Sequence, residues 1–382
     1  MAFPVSVKVI TKGVASIPRD TWNQLAGTEW PHLSHEFLAA LEQNRCLGSR
    51  VGWHAAPWLV EDEVGQVIAA LPLYIKDNSF GEFVFDWAWA EAYQRHDMPY
   101  YPKWVVAAPF TPATASKFLC APESPDTQVA ETLLSRVLDL ARRQGISSVH
   151  FLFTDEDVLR DSGLIHRIGC QFHWRNQGYR DFHDFLEALT AKRRKEILRE
   201  RRKVMEAGIT MRRRSGDELS AADWIRFHEL YRGTFEKHAN FPALTLGFFQ
   251  SIGKTMGDKL LLVEALSQGH VVASAFFLVG QNTLYGRYWG ADEEVPALHF
   301  EACYYQGIEF AIEQGLSVFE PGAQGEHKIS RGFLPVRTHS YHWIGHEGFR
   351  EAISRHVTLE NQHMESYIRD CEARSPYRMD SC

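Results

Sequence analysis

The segment Pro321-Gly322-Ala323-Gln324-Gly325-Glu326-His327-Lys328-Ile329-Ser330-Arg331-Gly332 holds the densest set of reactive side chains in this 382-residue chain. Its glycines let backbone N–H groups approach an anion or a carbonyl oxygen. Glu326 or His327 can take a proton from an attacking amine. Lys328 and Arg331 can hold a phosphate or a carboxylate, with Gln324 as a polar neighbour. Just upstream, a helix expected over 298–314 crowds His299, Glu301, Cys303, Tyr304, Tyr305 and Gln306 into its first two turns. Free N–H groups at a helix start suit a pyrophosphate or carboxylate. Tyr304 or Tyr305 can protonate a leaving thiolate or ribose oxygen. Arg287 and Tyr288, ending the preceding strand, are expected to face the same place. Acyl transfer needs this kit: a deprotonated amine, a polarised carbonyl and a protonated leaving group. The same residues also fit a solvated turn and a core helix whose tyrosines pack through their rings.

A second concentration is purely electrostatic. Residues 192–203 carry eight Lys or Arg against two Glu, while the whole chain has a net charge of −7. Positions 192–195 turn through every direction of a helix. A phosphate-rich partner accounts for Lys192, Arg193, Arg194 and Lys195, be it tRNA, a lipid head group or CoA. A solvated helix face is the plainer account. Asp86 and Trp89 sit in an alternating run, Phe83, Phe85, Trp87 and Trp89, that reads as a strand face filling the core. They are the substrate-lining candidates of the first half.

Other chemistries are excluded. Gly253-Lys254-Thr255 lacks the upstream glycine of a P-loop, because position 248 is Phe. No Gly-x-Ser-x-Gly elbow exists. His339, His342 and His346 fall in strand and turn and do not share a face, so no metal site is expected. Six cysteines without a Cys-x-x-Cys pair suit a reducing cytoplasm. No apolar run approaches the roughly 20 residues of a membrane span, and no signal peptide is apparent.

The elements that must position these residues occur twice. Trp58-Leu59-Val60-Glu61 is echoed by Leu261-Leu262-Val263-Glu264, and each is followed by a Gly turn and another apolar run. Each copy later runs a helix into Gln-Gly and then a strand: Gln144-Gly145-Ile146-Ser147 and Gln314-Gly315-Leu316-Ser317. Helices are expected at 127–143 and 348–373, and one long helix at 182–207 couples the halves. The fold class is α+β, two tandem domains with mixed, mostly antiparallel sheets, divided as 1–184 and 185–382. Such pairs usually place a ligand between them.

That doubled order resembles the GNAT acyltransferase fold in tandem, as in the FemAB-like superfamily. The resemblance rests on Val84-Phe85-Asp86-Trp87-Ala88-Trp89-Ala90, Pro109-Phe110-Thr111-Pro112 and Lys192-Arg193-Arg194-Lys195-Glu196-Ile197. It is strongest from Tyr285-Gly286-Arg287-Tyr288-Trp289-Gly290 through Leu298-His299-Phe300-Glu301 to Gly322-Ala323-Gln324-Gly325-Glu326-His327-Lys328. It implies a cytoplasmic N-acyltransferase working by direct transfer to a small or peptide-like amine. Acyl-CoA is the donor the fold implies by default, and aminoacyl-tRNA the donor of several relatives. Neither copy carries the Gln/Arg-x-x-Gly-x-Gly/Ala pyrophosphate pattern, which argues against ordinary acetyl-CoA binding. That absence also suits a non-catalytic module recognising a cell-wall precursor.

Overall fold

The computed structural model describes residues 6–121, 126–154, 156–237, 239–323 and 325–378. The chain forms two compact units. One comprises the residues through Gly169 together with Arg337–Ser366, and the other Cys170–Val336 together with Tyr367 onward. These units cut the chain elsewhere than the expected division at 184/185.

The first unit begins with an antiparallel sheet in the order Ser6–Val9, Trp58–Glu61, Val67–Leu71, Leu119–Cys120. Pro72 has no N–H to donate, and the chain re-enters pairing as Leu73–Lys76 in a second sheet. There it joins Trp53–Ala55 and Lys103–Val106 in antiparallel fashion, and Lys103–Val106 runs parallel to Ser148–Leu152. A parallel pair needs a crossover, supplied by the amphipathic helix Asp126–Gln144. Val129, Leu133, Val137 and Ala141 of that helix bury against Val149 and Phe151, and Gly145 ends it at φ 66°.

The second unit repeats the scheme with longer strands. Ile209–Ser215, Leu260–Ser267, His270–Val279 and Thr283–Ala291 form an antiparallel meander. Thr283–Ala291 then runs parallel to Val318–Glu320 after a helical crossover. Gly307 lets that crossover lie close, since a Cβ there would meet the Phe319 ring at 2.5 Å.

The last strand of each sequence half explains why the units do not follow the sequential division. In the first unit Ser148–Leu152 pairs with residues 340–344. In the second, Val318 and Phe319 pair with Arg175 and Trp174. Each ladder is therefore completed by a strand from the other half of the sequence.

Two expected elements differ. Residues 82–90 are a loop and the helix Trp87–Arg95, not a strand. Phe83, Phe85 and Trp87 are exposed and only Trp89 is buried. The alternation of aromatics imitated a strand, yet the segment follows buried charges instead. The long helix at 182–207 is two helices, Phe182–Ala188 and Ala191–Glu206. They break where Leu189 bridges to Tyr377 and Thr190 donates to the Pro376 carbonyl.

Candidate functional site

In the second unit the parallel ladder is short. Thr283, Leu284 and Tyr285 face Val318, Phe319 and Glu320, and beyond them Thr283–Ala291 continues without that neighbour. A bulge falls at the parting point. Phe276 faces Tyr288 and Phe277 faces Gly286, which makes Arg287 the extra residue. A cleft of about 610 Å³ opens there, lined by Arg287, Tyr288, His299, Cys303, Tyr304, His327 and Lys328 among others. All its lining residues belong to the second unit.

The wall opposite the bulge is helical but irregular. Leu298–Phe300 is α-helical, Glu301–Tyr305 widens into a π-turn, and Gln306–Glu313 resumes the α-helix. Such turns gather at functional sites because they re-aim side chains. Here Cys303 and Tyr304 line the cleft, while Tyr305 hydrogen-bonds Glu200 elsewhere. The sequence pattern of an ordinary helix does not betray this widening.

The floor comes from the 3₁₀ turn Glu326–Arg331. His327 Nε2 lies 2.9 Å from Tyr304 Oη. Lys328 is 2 % exposed, and its ammonium donates to the Gly322 carbonyl at 2.7 Å. Burial pushes its pKa down to about 8. Burial, then Lys328 and Arg331, also lower His327, so its imidazole is neutral near pH 7. Burial foremost, with His327 and Lys328, takes His299 down to about 4. Burial raises the Tyr304 hydroxyl well above its usual value, which leaves it a proton donor. No carboxylate appears among the described lining residues. The cleft therefore presents positive charge and neutral donors to whatever enters it.

A family described as "Peptidogalycan biosysnthesis/recognition" matches residues 13–379. The chain belongs to the FemAB-like family. No curated protein sequence matches it. Among solved structures, FemX is similar in fold with 11 % identity, covering 91 % of this chain and 100 % of that one at a TM-score of 0.54. The C-terminal domain of a putative lysylphosphatidylglycerol synthetase from Agrobacterium fabrum covers 90 % and 95 %, with 10 % identity and a TM-score of 0.53. L-PGS from Bacillus licheniformis covers 91 % and 95 %, with 11 % identity and a TM-score of 0.51. At such identities the likeness is one of fold, two GNAT-like domains in tandem.

The remaining expected site residues of this FemAB-like chain disperse. Glu326 is exposed and ion-paired with Arg374 at 2.7 Å, away from the cleft-lining set, so it is not placed as the base. Tyr305 is likewise not placed as the acid: Glu200 takes its hydroxyl and pairs with Arg331 at 2.6 Å. Arg331 also spreads over the Phe300 ring at 3.4 Å and donates to the His327 carbonyl at 2.7 Å, so it holds the turn rather than lining the cleft. Glu301 is buried against Arg201 at 3.0 Å and is structural. Gln324 lies outside the described residues.

Asp86 and Trp89 belong to the first unit and are buried, not substrate-lining. Asp86 accepts from Lys103 at 2.5 Å and from Tyr100 at 2.5 Å. Burial alone would raise its carboxyl, but Lys103 and His150 hold it at about 2. Trp89 stacks on His150 and meets His342 edge-on. Lys192, Arg193, Arg194 and Lys195 lie at the start of helix Ala191–Glu206, and none lines the cleft. Sequence reasoning missed Lys103 and Glu82. Their signal is long-range pairing, invisible without the fold.

Among the described residues no group of three His, Cys, Asp or Glu is placed to hold a metal. No helix among them is long and apolar enough to cross a membrane.

Proposed function

We propose that this FemAB-like protein is an N-acyltransferase whose reaction takes place in the second-unit cleft. One observation carries the reading: a neutral His327 hydrogen-bonded to Tyr304, beside a buried Lys328 ammonium, where two parallel strands part. The carbonyl of an activated donor enters at the bulge. The amine nitrogen attacks its carbon, a C–N bond forms, and the bond to the donor's sulfur or ribose oxygen breaks. The amine's proton passes to His327, and Tyr304 returns one to the leaving atom. Lys328 and Arg287 meet the negative charge that develops on the carbonyl oxygen or rides on donor phosphates. The names borne by the similar structures, FemX and lysylphosphatidylglycerol synthetase, support aminoacyl or acyl transfer as the reaction class.

The test is transfer by the purified chain to an amine acceptor, from acyl-CoA and from aminoacyl-tRNA in parallel. Tyr304→Phe, His327→Asn and Lys328→Met are expected to lose turnover while their unfolding midpoints hold. A wild-type protein that binds a cell-wall precursor but transfers nothing from either donor overturns the reading.

A further inference from the structure

We propose that the outer face of helix Ala191–Glu206 is a docking surface for an anionic lipid bilayer. The surface is separate from the cleft, and the proposal does not rest on the acyltransferase reading. At about 100° per residue, Lys192, Lys195, Arg199, Arg202 and Lys203 fall within roughly 100° of arc. The helix buries Ile197 and Val204 on the opposite side. The stripe spans about 16 Å at ~1.5 Å per residue.

Most charges outside the stripe, Arg194 excepted, are already paired. Arg193 pairs with Glu196 at 2.6 Å, Arg201 with Glu301 at 3.0 Å and Glu309 at 2.7 Å, and Glu200 with Arg331 at 2.6 Å. The five stripe residues are exposed and make no ion pair or side-chain hydrogen bond among the described residues. Glu206, at the helix end, is the acid on their face. In a chain of net charge −7 this is a local exception, and five like charges held together repel unless an anionic partner meets them.

Two apolar neighbours decide the kind of partner. Leu198 is 45 % exposed and Met205 68 % exposed. They stand seven residues apart, two turns along one edge of the stripe. A nucleic-acid backbone offers an aliphatic side chain nothing. A bilayer surface offers both halves of the match: aliphatic groups enter the acyl boundary while Lys and Arg reach lipid phosphates on their long stems.

The experiment is flotation of the 382-residue chain with phosphatidylcholine vesicles, with and without one-third phosphatidylglycerol, at low and high salt. Binding is expected only to the phosphatidylglycerol vesicles, and it falls as salt rises. Each stripe cation changed to Gln costs roughly five-fold in partitioning, and changing all five abolishes it. Leu198→Ser with Met205→Ser weakens binding by about ten-fold at unchanged charge. Lys192→Arg, Lys195→Arg and Lys203→Arg together retain it, which separates charge from folding. Equal binding to pure phosphatidylcholine, or no binding at low salt, overturns the proposal. So does capture of uncharged tRNA that depends on the cations and ignores Leu198 and Met205.

Discussion

Each unit buries a lysine beside its parallel ladder, and the two are handled in opposite ways. Lys103 is fully buried but meets Glu82 at 2.8 Å and Asp86 at 2.5 Å. Burial would lower its pKa, yet the two carboxylates outweigh burial and raise it. Lys328 is buried nearly as well but has a carbonyl partner and, among the described residues, no carboxylate, so its pKa falls to about 8. The surrounding chain differs in the same sense. After Lys103–Val106 the loop at 107–118 folds back, Ala115 donates to the Phe153 carbonyl at 3.1 Å, and Lys117 caps that carbonyl at 2.9 Å. After Tyr285 the corresponding strands part and leave the cleft open. A buried charge whose partners are supplied holds a fold together. One kept short of partners in a cleft is the pattern of a functional site.

The largest effect that can break this contrast is on stability. Lys103→Met strands Glu82 and Asp86 in an apolar interior, and breaking a buried pair this way costs roughly 3–5 kcal/mol. A large drop in unfolding midpoint is expected. Lys328→Met removes a charge that has no counter-charge among the described residues, so its midpoint is expected to hold or rise while transfer falls about 10²–10³-fold. Equal destabilisation of both variants in a denaturant series dissolves the distinction.

Next in size is the pair at the cleft rim. His327→Asn and Tyr304→Phe each remove one end of a 2.9 Å hydrogen bond. Each is expected to lower kcat at least about 10²-fold, and the double variant little more, because the two act as a unit. Additive losses in a double-variant cycle show that they do not.

On the acid side of the pH scale the first unit loses stability through Asp86 and His150. Asp86 is held at about 2, below the unfolded value near 3.9. Its contribution is fully present above pH ~4 and is lost as pH falls through 2. Buried His150 is depressed to about 3 by burial, with Lys103 adding to it. Its stabilising contribution is present above ~6.5 and declines steadily below that. Unfolding of the first unit is therefore expected to ease progressively under acid. In the cleft, Lys328 titrates at the other end. An alkaline limb in kcat/KM near pH 8 is expected from Lys328 and should vanish in Lys328→Met.

The sequence shows as much of this as local pattern can carry. Repeat signals at Trp58–Glu61 and 261–264, the helix at 126–144 and the reactive turn at 326–331 are local, and the structure has an element at each. The exchange of last strands is not local, since Ser148–Leu152 pairs with residues almost two hundred positions later. The Phe83–Trp89 alternation misleads for the same reason: Glu82 and Asp86 are drawn inward by Lys103, which turns the intervening aromatics to solvent. His327 and Lys328 are legible as chemistry. Which neighbour of the turn faces the cleft depends on the residue's angle, and Glu326 shows how one position matters.

Glu326 gives the smallest expected effect and sharpens the comparison most. Beside His327 in sequence, it is the obvious rival for the base. Its carboxylate instead pairs with Arg374, which together with Tyr367 lowers its pKa and keeps it ionised, in solvent. An exposed pair of this kind contributes little, and less at high salt. Glu326→Gln is expected to leave kcat, KM and the unfolding midpoint unchanged, and so is Arg374→Gln. Lost turnover in Glu326→Gln with Arg374→Gln unaffected would return the proton-accepting role to Glu326 and remove His327 from it.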